Sequence, residues 1–182
     1  MAGAQSIRVV SGSLAPLKGE KTVSTSFTYD NLKVGKMTEQ DYVSDKVKEY
    51  NSKKAGSGDQ WHQNWINDRS SRFEPKFNEL FDKYLSEKGI RVGDGAKYKF
   101  VINTDFIEPG FNVGVARRNA SINLTCRLID TSDGSQVALV TIMNSSANSF
   151  SGTDFDSGYR IQECYAKAGR ELAKFIIKEC RL

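Results

Sequence analysis

The sequence predicts an α+β fold: a mainly antiparallel sheet of about five strands with helices packed on it, in the order β-β-α-α-β-β-β-α. Three observations carry this expectation. "TVSTSFTY" (22–29) alternates apolar and polar residues, as a strand with one wet face must. Two long segments, 61–85 and 156–180, repeat apolar residues at helical spacing. Between them, three strand-like stretches occupy 97–143, divided by a glycine-bearing loop and an Asp-Gly turn.

Taken in order, "IRVVSGSL" (7–14) is a short strand closed by Pro16 and Gly19. In 22–29, Val23, Thr25, Phe27 and Tyr29 share the face expected to meet the core. "TEQDYVSDKVKEYNSKK" (38–54) opens on Thr38 as N-cap with acids in its first turn and closes in lysines, which complements the helix dipole at both ends. Its apolar stripe (Tyr42, Val43, Val47, Tyr50) is narrow, so this helix lies on the surface. From Trp61 to Leu85 the helical pattern resumes, but the apolar arc rotates by about a quarter turn between Phe73 and Phe77, with a start or kink expected at Pro75.

The second half reads more simply. In 97–107, Tyr98, Phe100, Ile102 and Phe106 share a face; in 119–130, Ala120, Ile122, Leu124, Cys126 and Leu128 do. Asp133-Gly134 supplies the positive-φ residue of a hairpin turn, and 135–143 is apolar on both faces, as an interior strand is. The last helix aligns Ile161, Cys164, Tyr165, Ala168, Leu172, Phe175 and Ile176. The helices of 59–88 and 156–179 are expected to cover one face of the sheet.

Composition narrows the function classes. The 182 residues, 38% hydrophobic and 26% charged with three prolines, suit one globular domain at 6–182 behind a short start at 1–5. No apolar run reaches the roughly eighteen residues of a membrane span. The net charge of +4 is mild, without the dense basic stripe of a duplex-DNA binder. Ala2-Gly3-Ala4 followed by Gln5 has the shape of a signal-peptidase site, so residues 1–4 read as the stub of an export signal, the alternative being a plain cytosolic start. Cys126, Cys164 and Cys180 lack metal spacing, and with one histidine in the chain a structural zinc site lacks ligands. They read as buried hydrophobes; a Cys126–Cys164 bridge would require export.

Two stretches are candidate binding sites. In "WHQNWINDRSSRF", Trp61, Trp65, His62, Arg69 and Arg72 fall in one helical arc. Packing of the tryptophans on the sheet, with arginines stacked over the indoles, accounts for them; an exposed aromatic-cationic shelf for a glycan, an acidic peptide or single-stranded nucleic acid is the alternative. In the loop 108–118, Gly110 and Gly114 let backbone N–H groups approach an anion and Arg117-Arg118 could clamp it, although a solvated hairpin connection needs no ligand. The loop lacks the Lys-Ser/Thr of a P-loop. The carboxylate pairs Asp130/Asp133 and Asp154/Asp156 fit turns, and neither Cys126 nor Cys164 has the exposed electropositive setting of a nucleophile.

The run "YKFVINTDFIEPGFNVGVARRNASINLTCRLIDTSDGSQVALVTI" followed by "GYRIQECYAKAGRELAKFI" (about 97–177) resembles uncharacterised bacterial envelope domains akin in fold to the curli-secretion lipoprotein and the penicillin-binding-protein activator lipoprotein. The shared pattern is a strand, a Gly- and Arg-bearing loop, a strand ending in Leu-x-Asp, an Asp-Gly turn, a further strand and a last helix. The resemblance implies a periplasmic or outer-membrane-facing domain that works by protein contact. No lipobox cysteine follows Ala4, which favours a soluble secreted form. The expected function is therefore that of a non-enzymatic exported binding or scaffold module without cofactor, in contact with another envelope protein or cell-wall component through loop 108–118, the Trp61–Arg72 face, or both. The rivals are a small hydrolase or transferase using His62 with Asp105 and Glu108, and a single-stranded nucleic-acid binder.

Overall fold

The computed structural model describes residues 4–112, 116–146 and 157–182. In chain order the strands are β1 (Ser6–Gly12), β2 (Thr22–Thr28), β3 (Lys33–Val34) and β4 (Met37–Thr38), followed by helices α1 (Glu39–Lys53), α2 (Ser57–Asp68) and α3 (Glu74–Ser86). Then come β5 (Arg91–Val92), β6 (Tyr98–Glu108), β7 (Phe111–Asn112), β8 (Arg117–Arg118), β9 (Ser121–Asp130), β10 (Gln136–Ser145) and α4 (Ser157–Cys180).

The principal sheet has eight strands rather than about five, in the order β1-β10-β9-β6-β2-β5, with β3 on the far end of β6 and β4 on β3. It is mixed, not mainly antiparallel. β1, β10, β9 and β6 pair antiparallel in succession, but β2 and β3 run parallel to β6, and β5 parallel to β2. The cause is connectivity: the chain leaves β2, passes through three helices and returns beside it, and such a crossover delivers a parallel neighbour. β7 and β8 form a separate small hairpin.

One face of the sheet makes the core. Phe100, Ile102, Ile122, Leu124, Cys126, Leu128, Val140 and Ile142 point inward from three adjacent strands, all fully buried. α3 and α4 cover them: Phe77 meets Phe27 edge-on at 5.5 Å, and Phe81 meets Phe100 at 5.8 Å. The two helices cross closely at Gly169, where a Cβ would lie 2.2 Å from the Phe77 carbonyl oxygen. Every residue of the expected α4 stripe is buried except Phe175, which packs at the core's margin.

Two features depart from the sequence reading. A bulge between Thr104 and Phe106 shifts the alternation of β6, so that Ile107 is buried where Phe106 was expected. Thr104, the last residue in phase before the bulge, sits wholly in the core and shares a 2.6 Å hydrogen bond with the hydroxyl of buried Tyr165. The rotation of the apolar arc arises just before Pro75: Arg69–Phe73 form a π-helical turn, closed by the N–H of Glu74 on the carbonyl of Arg69. A wider turn re-phases the side chains that follow, and Pro75 comes directly after it, in the first turn of α3.

α1 begins as expected, with Thr38 Oγ1 accepting from the N–H of Asp41 at 3.2 Å, and it has no fully buried residue. The tryptophans pack on α1 rather than on the sheet. Trp61 and Trp65 stack at 5.7 Å, with Tyr42 against both and Tyr50 against Trp61. Cys126, Cys164 and Cys180 are buried and unbridged, and burial pushes the Cys126 thiol well above its ordinary value. Among the described residues, no helix is long and apolar enough to cross a membrane.

Candidate functional site: a cleft at the end of β6

β6 and the two connections that meet its C-terminal end enclose an open cleft of about 650 Å³. The β3–β4 hairpin supplies Val34, Gly35, Lys36 and Met37, α1 supplies Tyr42 and Lys46, and β6 with its exit supplies Phe106, Glu108, Pro109 and Gly110. Arg118 reaches in from β8 and pairs with Glu108 at 3.0 Å.

The loop expected to bind lies on this rim. Gly110 has a φ of +65°, and a Cβ there would stand 2.4 Å from the carbonyl oxygen of Arg118, so both conformation and space demand glycine. Its N–H donates to Glu108 Oε1 at 3.2 Å. Arg118 lines the cleft; its neighbour Arg117 is exposed and does not, because successive residues on a strand face opposite ways. Gly114 lies outside the described residues, as do Asp154 and Asp156.

The floor is apolar and the rim is cationic. Met37 is 40% exposed, and Phe106, turned out of the core by the bulge, lies alongside. Among the described residues that line the cleft, Glu108 is the one carboxylate beside Lys36, Lys46 and Arg118. Lys36 is exposed and has no ion-pair partner among the described residues. Tyr42 is held in place by the two tryptophans behind it. Burial, followed by the nearby Tyr50 and Glu108, pushes its hydroxyl up to about 12, so it remains a neutral donor in the cleft wall.

The Trp61–Arg72 stretch is mostly committed to packing. Trp65 is 6% exposed and donates from Nε1 to Glu39 at 2.6 Å. Arg69 pairs with the same carboxylate and lies 4.1 Å over the ring of Tyr29, not over an indole. Arg72 pairs with Asp68 at 3.1 Å, and both line a small polar hollow of about 370 Å³ together with the tryptophans.

The residues of the enzymatic rival are not brought into one cleft. Asp105 lies in a separate polar trough on the uncovered face of the sheet, accepting from Asn103 Nδ2 and Thr125 Oγ1, both at 2.7 Å. Glu108 is in the cleft, and His62, half-buried on α2, lines neither. Asp130 and Asp133 act as turn residues: hydrogen bonds from Ser132 and Ser135 hold their carboxyls below the usual range.

One residue that sequence reasoning missed shapes the site. Arg160, at the start of α4 and 7% exposed, donates from Nε to the carbonyl of Pro109 and from Nη2 to that of Gly110. Its signal was available: Arg160 falls four residues before Cys164 and eight before Ala168, on the buried line of the helix.

No family model matches the chain, and no curated protein matches it. Among solved structures, it is similar to a PelC dodecamer from Paraburkholderia phytofirmans (15% identity, 90% of this chain and 97% of that one, TM-score 0.38). It is also similar to protein XCC0632 from Xanthomonas campestris, of the DUF330 family (13% identity, 89% and 86%, TM-score 0.41). A third likeness is to a candidate lipoprotein from Caulobacter crescentus CB15 (17% identity, 57% and 79%, TM-score 0.40). At these identities and scores the likenesses assign neither a family nor a function to this chain.

Proposed function

We propose that the chain is a non-enzymatic binding module of the bacterial envelope, exported to the periplasm or beyond, and that it contacts a partner protein through the cleft at the end of β6. The observation that carries this reading is the pairing of an exposed apolar floor (Met37, Phe106) with a rim of cations, one of which, Lys36, has no ion-pair partner among the described residues. Partner sites commonly combine an apolar centre with a polar, charged rim. The chemistry on display is suited to recognition: the thiols are buried, and the carboxylate nearest a reactive role, Asp105, has both oxygens engaged by neighbours.

The finer family relation, to the curli-secretion and penicillin-binding-protein activator lipoproteins, belongs to the same proposal and rests on the order of motifs in the second half. The reading of residues 1–4 as the stub of an export signal belongs to it as well, and rests on Ala2-Gly3-Ala4 before Gln5. In this reading the Trp61–Arg72 stretch works at one remove, by holding Tyr42 as the cleft wall.

In-cell photo-crosslinking tests the reading. A photoreactive residue at Met37 should give a discrete adduct with an envelope protein, while the same residue at Val10, exposed on edge strand β1, should not. Identical patterns from the two positions, or no adduct from Met37, would defeat it.

A further inference from the structure

The cleft also indicates what kind of segment it receives. Resting on the binding-module reading above, we infer that its occupant is an acidic peptide segment of the partner, carrying an apolar side chain between carboxylates.

Charge complementarity is the first argument. Three cations approach the cleft from three different elements: Lys36 from the β3–β4 turn, Lys46 from α1 and Arg118 from β8. The one acid among the described lining residues, Glu108, is already paired with Arg118 at 3.0 Å. The Glu49 partner of Lys46 is shared with Lys53 and lies outside the cleft. Lys36 has no ion-pair partner among the described residues. The site therefore presents net positive charge at separated points, which suits carboxylates spaced along a chain better than one compact anion.

The floor is the second argument. Met37 is 40% exposed and, with Phe106 and Tyr42, gives a surface that adapts to an aromatic or branched side chain; methionine's thioether adjusts to irregular shapes and contacts rings favourably. A purely polar anion would leave this surface wet. The Tyr42 hydroxyl adds a neutral donor beside the carboxylate positions.

The test titrates the isotope-labelled chain by NMR with a synthetic octapeptide of glutamates around a central Phe-Leu pair. Shifts should concentrate at residues 34–46, 106–112 and 116–118. Affinity should fall about tenfold for the K36E/K46E variant and stay unchanged for K88E, whose lysine is exposed beyond α3. Replacing the glutamates by glutamines should abolish binding. Equal binding of the glutamine peptide, shifts centred elsewhere, or tighter capture of oligo(dT) or phosphatidylglycerol vesicles at the same residues would each overturn the inference. If Met37 crosslinks a partner in cells but the acidic peptide does not bind, this inference fails while the binding-module reading stands; if no partner is crosslinked, that reading fails first.

Discussion

Arg160 Nη2 donates to the carbonyl of Gly110 across 3.2 Å, tying the start of the last helix to the rim of a cleft fifty residues earlier in the chain. With the bond from Nε to Pro109 at 3.1 Å, one buried guanidinium holds both residues that link β6 to β7. The cleft's shape is thus a property of the tertiary fold and not of the loop alone.

Arg160→Met should therefore destabilise the fold by about 2–3 kcal/mol, since it leaves two carbonyls without their donor in a largely buried setting. Urea unfolding measures the loss. Amide exchange should quicken at Gly110 and Arg118 and stay unchanged in the β9–β10 hairpin, whereas a uniform rise would place the role of Arg160 in global stability only.

Gly169→Ala should cost about 3 kcal/mol, because its methyl group meets the Phe77 carbonyl and the α3–α4 crossing must open. Gly93→Ala, whose nearest neighbour is the Thr22 methyl at 3.7 Å, should change stability by less than about 0.5 kcal/mol. Thermal unfolding of the two variants side by side checks both.

The Thr104–Tyr165 hydrogen bond lies in the core with both residues fully buried. Tyr165→Phe should cost about 1–3 kcal/mol by stranding the threonine hydroxyl, and adding Thr104→Val should recover part of that loss. A double variant as unstable as the sum of the singles would show that the pair is not coupled.

Two groups predict opposite pH limits. Hydrogen bonds from Lys46 and Lys53 lower the Glu49 carboxyl from 4.5 to about 2. A depressed acid stabilises the fold above its unfolded value, so this modest contribution should fade as pH falls from about 4.5 to about 2, and earlier in high salt. Tyr42 is raised from 10.0 to about 12, chiefly by burial, so its contribution is complete below pH 10 and fades as pH rises toward 12. NMR titration of the Glu49 carboxyl and the Tyr42 ring carbon reads each midpoint. Ordinary values at either would remove the corresponding interaction.

Much of this architecture was legible because burial leaves a period. β9 and α4 show clean alternation and a clean three-and-four stripe, and both fold as read. Thr38 announced the start of α1 by its side-chain oxygen. The parallel pairing of β2 with β6 was not legible, because strand direction is decided by the crossover and leaves no mark in either strand. β3 and β4 are two residues each, too short for any period; their trace was the turn "VGKM", where Gly35 takes a φ of +59°.

The site divides along the same line. Gly110 and Arg118 were readable as a glycine-arginine loop. Their companions Lys36, Met37, Tyr42 and Lys46 come from a hairpin and a helix some seventy residues upstream, and only the β3–β6 pairing joins them. Phe106 was assigned to the core because alternation extrapolated through Thr104 puts it there; the bulge that turns it into the cleft is a two-strand property.

The central claim is that the end of β6 is where a partner docks. Hydrogen exchange of the chain, measured with and without the partner crosslinked from Met37, tests it most directly. Protection confined to 34–46, 106–112 and 116–118, with the open sheet face around Asp105 and Thr125 unchanged, is the predicted result. Protection centred on that open face, or on the hollow beside Trp61 and Arg72, would contradict it.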